Sequence, residues 1–173
     1  MSKARSWAGL IGFGAAVAAA GWYGSRFSPR NDETRDWYEG LEKPVFNPPE
    51  WLFPVVWTPL YALMAISGWS AWRSEDSPER GRALWVWALQ LAANAGWTQL
   101  FFGARKPKLA LADVALLEAL IAGYIASTAE FGGLAAWCFV PYAGWVGFAT
   151  VLNAEIVRLN RTDRSATAEA AGD

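Results

Sequence analysis

Twelve tryptophans, no histidine and a single cysteine define the chemistry open to this chain of 173 residues. Without imidazole, a haem held by histidine, a zinc site of ordinary type and a Ser-His-Asp triad are excluded, and no cofactor is expected. Cys138 has no partner for an intrachain disulfide, so it identifies no compartment. What remains is stacking and hydrogen bonding. In "ALWVWALQLAANAGWTQLFFG" the residues Trp87, Gln90, Asn94, Trp97 and Phe101 recur at three- and four-residue steps, which is one face of a helix. Ala88, Ala92 and Gly96 recur on another face at four-residue spacing, a small-residue stripe that lets helices approach closely. An asparagine in the middle of an apolar helix needs a partner on another helix, on a ligand or in water. Gln90, one turn before Asn94, favours a polar cavity lined by aromatics over a single interhelical lock. Pro54 and Pro59 flank Trp57, Pro141 precedes Trp145, and Ala149 shares a face with Trp145. Each tryptophan alone could be core filler, but large residues beside small ones, next to prolines that disturb a helix, suit a large, flat, apolar ligand held by stacking.

These residues lie in nearly chargeless blocks at 7–24, 51–72, 83–103, 109–129 and 134–154, the last expected to continue as helix to 158. Each is about the ~20 residues a helix needs to cross a bilayer. The mean hydropathy is only +0.12 because charge is segregated between the blocks. No block has the polar face that a surface helix of a soluble all-α domain requires. Asp113 and Glu118 are the acids closest to a block's interior. The fold expected is therefore an all-α integral membrane protein, a single domain over 1–160 built as a five-helix bundle, with a disordered tail at 161–173. The first block, after Lys3 and Arg5, also has the look of a secretory signal, but it continues through interfacial aromatics to Arg26 as a retained helix does. A net charge of −1 offers nothing to nucleic acid.

The connection 25–50 is far longer than the others, which are short enough to make neighbouring helices antiparallel. It contains Trp37, Tyr38, Leu41, Val45 and Phe46, too apolar for a disordered linker. Pro44, Pro48 and Pro49 restrict its conformations, so it reads as a pre-shaped lid, with an interfacial aromatic anchor as the alternative. With five crossings, the side of this loop carries twice as many Lys and Arg as the opposite side. In an ordinary plasma membrane that places the loop and the C-terminus in the cytoplasm.

The segments "GSRF", "WYEGLEKP" with "NPPEW", "PVVWTPLY", "QLAANAGW", "FFGAR" and "PYAGWVGFATVLN" resemble, in order and spacing, the translocator protein family, also called tryptophan-rich sensory protein or peripheral-type benzodiazepine receptor, in its bacterial form. The likeness covers about residues 7–160. It implies a multi-pass protein of a bacterial membrane, inner or outer, commonly a homodimer, with a cavity closed by the first loop. The ligands implied are protoporphyrin IX and related tetrapyrroles, sterols in some lineages, and flat synthetic compounds, so the function expected is that of a porphyrin receptor or carrier. Carried over by motif, Trp57 and Trp145 face each other across the cavity, Asn94 and Trp97 lie on its wall, and Ala149 lies beside the ligand. Ser25 and Phe53 fall near the mouth and Tyr38 in the lid. A homodimer through Ala88, Ala92 and Gly96 is also expected. Two alternatives accompany this reading: light-dependent degradation of protoporphyrin IX, with Trp57 and Trp145 as the reactive pair, and a stress-sensing scaffold acting through a partner protein. The sterol motif departs from the family's pattern, because "LNAEIVR" has Ala154 where the motif has Tyr, although Arg158 is kept. The looser arrangement of Val17, Tyr23 and Arg26 is too permissive to replace it.

Overall fold

A computed structural model describes residues 2–29, 32–131 and 133–170. Among the described residues there are six α-helices rather than five: α1 (Lys3–Ser25), α2 (Asp32–Glu39), α3 (Leu52–Arg73), α4 (Pro78–Thr98), α5 (Pro107–Ala129) and α6 (Gly133–Ala170). A π-helical turn, Gln99–Gly103, follows α4. The five long helices fall on the five apolar blocks, and the additional one, α2, lies inside the first loop. Asp32 and Glu33 in its first turn complement the helix dipole, and Thr34 and Tyr38, four residues apart, form its buried stripe. The backbone of α6 is helical to Ala170. The alanine-rich "RSATAEAA" carries no helix breaker, and residues 171–173 lie outside those described.

Helix ends follow local chemistry. The Ser2 hydroxyl accepts from the Arg5 amide at 3.3 Å, and the Ser77 hydroxyl accepts from the Arg80 amide at 3.1 Å, with Pro78 in the first turn, where its missing N–H costs nothing. The block expected at 83–103 thus begins earlier, at Pro78, and its last five residues widen into the π-turn.

The long helices close into a ring: α1 beside α3, α3 beside α6, α6 beside α5, α5 beside α4, and α4 back beside α1. Three of them, α3, α5 and the 133–161 stretch of α6, are long and apolar enough to cross a membrane. Helices α1 and α4 are of similar length but less apolar, being rich in Gly, Ala and Trp and carrying charges in their first turns. The outer surface of the ring is apolar. Trp7, Trp85 and Trp137 are exposed towards one end, and Trp22 and Trp51 at the other. Exposed tryptophans at both ends of an apolar surface match the two interfaces of a bilayer.

The half of the ring away from the lid is solid. Tyr124, Phe139 and Tyr142 pack successively at centroid distances of 4.3 and 5.5 Å. Ser67 donates to the Ala135 carbonyl at 2.7 Å and bonds the Tyr124 hydroxyl at 3.0 Å. The Trp87 indole donates to the Met64 carbonyl at 3.0 Å and meets Phe13 edge-on at 4.9 Å. Gly68 makes this convergence possible, because a Cβ there would lie 2.6 Å from the Phe13 ring and 2.7 Å from the Trp87 ring.

Gly68→Ala is therefore expected to destabilise the bundle by about 1–3 kcal/mol through overpacking. Gly14→Ala, whose new methyl would meet nothing within 4 Å, should leave the thermal midpoint unchanged or slightly raised. Thermal unfolding in detergent measures both.

Candidate functional site

Above the solid half, the ring encloses a cavity of about 520 Å³ to which all five long helices and the lid contribute. That volume is in the range of small-molecule pockets. Its floor is a hydrogen-bonded group centred on Asn94 of α4. The Tyr61 hydroxyl of α3 donates to Asn94 Oδ1 at 3.2 Å, and Asn94 Nδ2 donates to the Tyr142 hydroxyl of α6 at 3.0 Å. Asn94 is thus both the interhelical lock and part of the cavity wall, and its buried amide is partnered on both sides. Gln90, one turn deeper, is fully buried and donates back to the Trp87 carbonyl; it does not line the cavity.

All eight residues singled out from the sequence, Ser25, Tyr38, Phe53, Trp57, Asn94, Trp97, Trp145 and Ala149, lie on the wall of this one cavity. Trp57 leans on Tyr61 at 5.3 Å between centroids, and Trp145 sits against Phe53 at 6.0 Å and Phe148 at 5.4 Å. The third cavity tryptophan is held differently. The Trp97 indole donates to Asn153 Oδ1 at 3.1 Å and stacks on Phe101 at 5.0 Å, while Asn153 Nδ2 donates to the Pro107 carbonyl at 3.1 Å. Among the described residues, the indole N–H groups of Trp57 and Trp145 have no such acceptor. Two aromatic faces with free donors can both stack on a flat ligand and bond to it. The Ser25 hydroxyl is turned to its own helix, donating to the Trp22 carbonyl at 2.8 Å, so it contributes little polarity to the mouth.

Tyr61, Tyr142 and Asn153 were not singled out from the sequence. Tyr61 and Asn153 each continue a four-residue series, one turn beyond Trp57 and Ala149, so extending those faces by one turn would have found them. Arg158 is exposed and pairs with Glu155 at 2.8 Å, outside the cavity.

The lid is fastened by side chains from two other parts of the chain. The Glu42 amide donates to Asn160 Oδ1 at 3.1 Å and Asn160 Nδ2 donates to the Glu42 carbonyl at 3.0 Å, an amide clamp between the loop and α6. Glu33 of α2 pairs with Arg105 at 2.8 Å, just past the π-turn. Tyr38 and Trp37 pack against Phe101 and Phe102, which the π-turn presents to the lid. A π-turn inserts one residue per turn and rotates the chain beyond it; here it delivers two adjacent phenylalanines both to the lid and to Trp97. Lys43 lies 4.6 Å from the Tyr38 ring, and burial pushes the Tyr38 phenol above its ordinary pKa, so the ring stays neutral beneath the lid.

A model described as the TspO/MBR family matches residues 13–159. The chain belongs to the TspO/MBR family. It is 40% identical over 154 residues to the tryptophan-rich sensory protein of Cereibacter sphaeroides, covering 89% of this chain and 92% of that one. Against the tryptophan-rich protein TspO of Chlorobaculum tepidum it is 37% identical over 150 residues, 82% and 89% of the two chains. Against the human translocator protein it is 34% identical over 152 residues, 87% and 89% of the two. It is accordingly a membrane protein of the TspO/MBR family, with helices suited to membrane spans.

Because Asn94 satisfies two tyrosines at once, Asn94→Leu should cost about 1–3 kcal/mol by leaving buried hydroxyls without a partner. Replacing the group as a whole, with Tyr61→Phe and Tyr142→Phe added, should recover part of that loss. Thermal midpoints of the single and triple variants give the comparison.

Proposed function

We propose that the chain is a receptor or carrier for porphyrins such as protoporphyrin IX, held in the cavity between Trp57 and Trp145 beneath the lid. All five long helices then cross the membrane, and the positive-inside rule puts the lid on the cytoplasmic side of a plasma membrane. The observation that carries the reading is the pair of cavity tryptophans whose indole N–H groups are unpartnered among the described residues, above a floor already closed by Asn94. A macrocycle entering there exchanges detergent or lipid contacts for two aromatic faces, each stack worth about 0.5–1.5 kcal/mol beyond burial. Titrating protoporphyrin IX into the detergent-solubilised protein in the dark should quench tryptophan fluorescence saturably. Trp57→Phe with Trp145→Phe should weaken the apparent affinity about tenfold, the two lost indole contacts summed. Equal affinity in the double variant would remove the site.

The same two indoles support a second reading, light-dependent degradation of the bound porphyrin with dioxygen as the oxidant. Decay of the Soret band no faster than that of free porphyrin in detergent would reject it, whereas loss of a faster decay in Trp57→Phe or Trp145→Phe would support it.

The reading includes a homodimer. Ala88 and Ala92 are exposed on α4 between Trp85 and Leu89, which are also exposed, so a second copy has an apolar and partly flat face to pack on. Gly96 is half-buried, and a Cβ there would lie 3.8 Å from Asp113 Oδ1 of α5, so the stripe turns inward at its last member. Ala92→Leu is expected to lower the dimer fraction severalfold in sedimentation or cross-linking; an unchanged fraction would put the interface elsewhere.

A further inference from the structure

Among the described residues, the wall of the cavity carries one cation, and it has no partner. Arg35 of α2 is exposed and lines the cavity, as do Tyr38 and Glu50. The other arginines whose side chains are described are engaged. Arg5, Arg26 and Arg73 lie over Trp72, Trp22 and Trp69 at 5.8, 5.0 and 4.7 Å. Arg80, Arg82, Arg105 and Arg158 pair with Asp76, Glu79, Glu33 and Glu155. Arg161 is engaged as well. Among the described residues Arg35 alone combines a place on the cavity wall with a guanidinium that makes no ion pair, hydrogen bond or ring contact.

We propose that Arg35 recognises an acidic substituent on the rim of the ligand, so that the flat apolar body lies between the tryptophans and a carboxylate stays at the lid. A guanidinium offers a planar fork of donors that matches a carboxylate in two parallel hydrogen bonds. Among the described residues no other cation lines the cavity, and the unpartnered donors deeper inside, such as the Trp57 and Trp145 indoles, are neutral, so an ionised edge has no counter-ion there. Water and Arg35 meet at the mouth, where the carboxylate keeps its solvation and gains a counter-ion. Glu50 also lines the cavity and repels an anion close to it, which favours an acid edge at the guanidinium. The position of Arg35 follows from the fold of α2. Thr34 and Tyr38 bury the helix's other stripe, and the Glu33–Arg105 pair anchors its start.

This inference rests on the porphyrin reading and adds an orientation to it. The test uses the full-length protein in detergent and two probes, protoporphyrin IX as its free diacid and as its dimethyl ester. At low salt the wild-type protein should prefer the diacid about three- to tenfold, the strength of a partly exposed charged pair, and the preference should shrink at about 1 M salt. Arg35→Gln should abolish the preference by weakening the diacid alone, leaving the ester's affinity where it was. Arg35→Lys should restore part of it, since charge is kept and the fork lost. Equal binding of the two probes by the wild-type protein, or a preference that survives Arg35→Gln, would overturn the proposal while the cavity reading stands. Absence of quenching by either probe would overturn both.

Discussion

One amide ties three helices together beneath the cavity. Asn94 of α4 accepts from Tyr61 of α3 and donates to Tyr142 of α6, and this bonded group separates a packed half of the bundle from an open one. Below it, tyrosine and phenylalanine rings fill the centre of the ring; above it, the side chains stand back against the helices. In an apolar surround such a group is stable only when every member is satisfied. The floor is therefore fixed, and a ligand meets a surface whose polar groups already have partners. Specificity has to come from the walls and the mouth.

The walls differ in how firmly they are set. Trp97 is fixed by Asn153, which is itself fixed by the Pro107 carbonyl, so the α4–α5–α6 side is braced through two successive hydrogen bonds. Trp57 and Trp145 are positioned by packing, with no hydrogen bond to their indoles among the described residues. The lid is likewise attached at a few points: the Asn160 clamp, the Glu33–Arg105 pair and the Tyr38 ring. The clamp and the ion pair are close to the surface, where each contributes about 1 kcal/mol or less, whereas Tyr38 is buried against Phe101 and Phe102.

Much of the cavity was legible in the sequence because helical periodicity is simple. Residues at three- and four-residue steps must share a face, so Asn94 and Trp97, or Trp145 and Ala149, had to fall together once those segments were helices. That faces from α1, α3, α4 and α6 meet in one cavity with the lid was implied by the resemblance and not by spacing. The hydrogen-bond partners were not legible. Tyr61 and Asn153 share faces with Trp57 and Ala149, but which group each of them and Tyr142 bonds depends on how far each helix is slid along its neighbour, which one chain's periodicity does not encode. The short α2 was hidden because charged residues and later prolines mark its loop, while its buried stripe consists of only two residues. The π-turn at Gln99–Gly103 leaves no pattern at all, since one extra residue per turn is invisible in a series that already mixes three- and four-residue steps.

The porphyrin reading requires that a flat aromatic ligand reside in the space inside the ring. A structure of the protein with protoporphyrin IX bound, determined in lipid or detergent, tests that most directly. The macrocycle should lie within stacking distance of the Trp57 and Trp145 indoles, with the Asn94 group intact beneath it and the lid closed above. Porphyrin density on the outer, lipid-facing surface with the central cavity empty would contradict it.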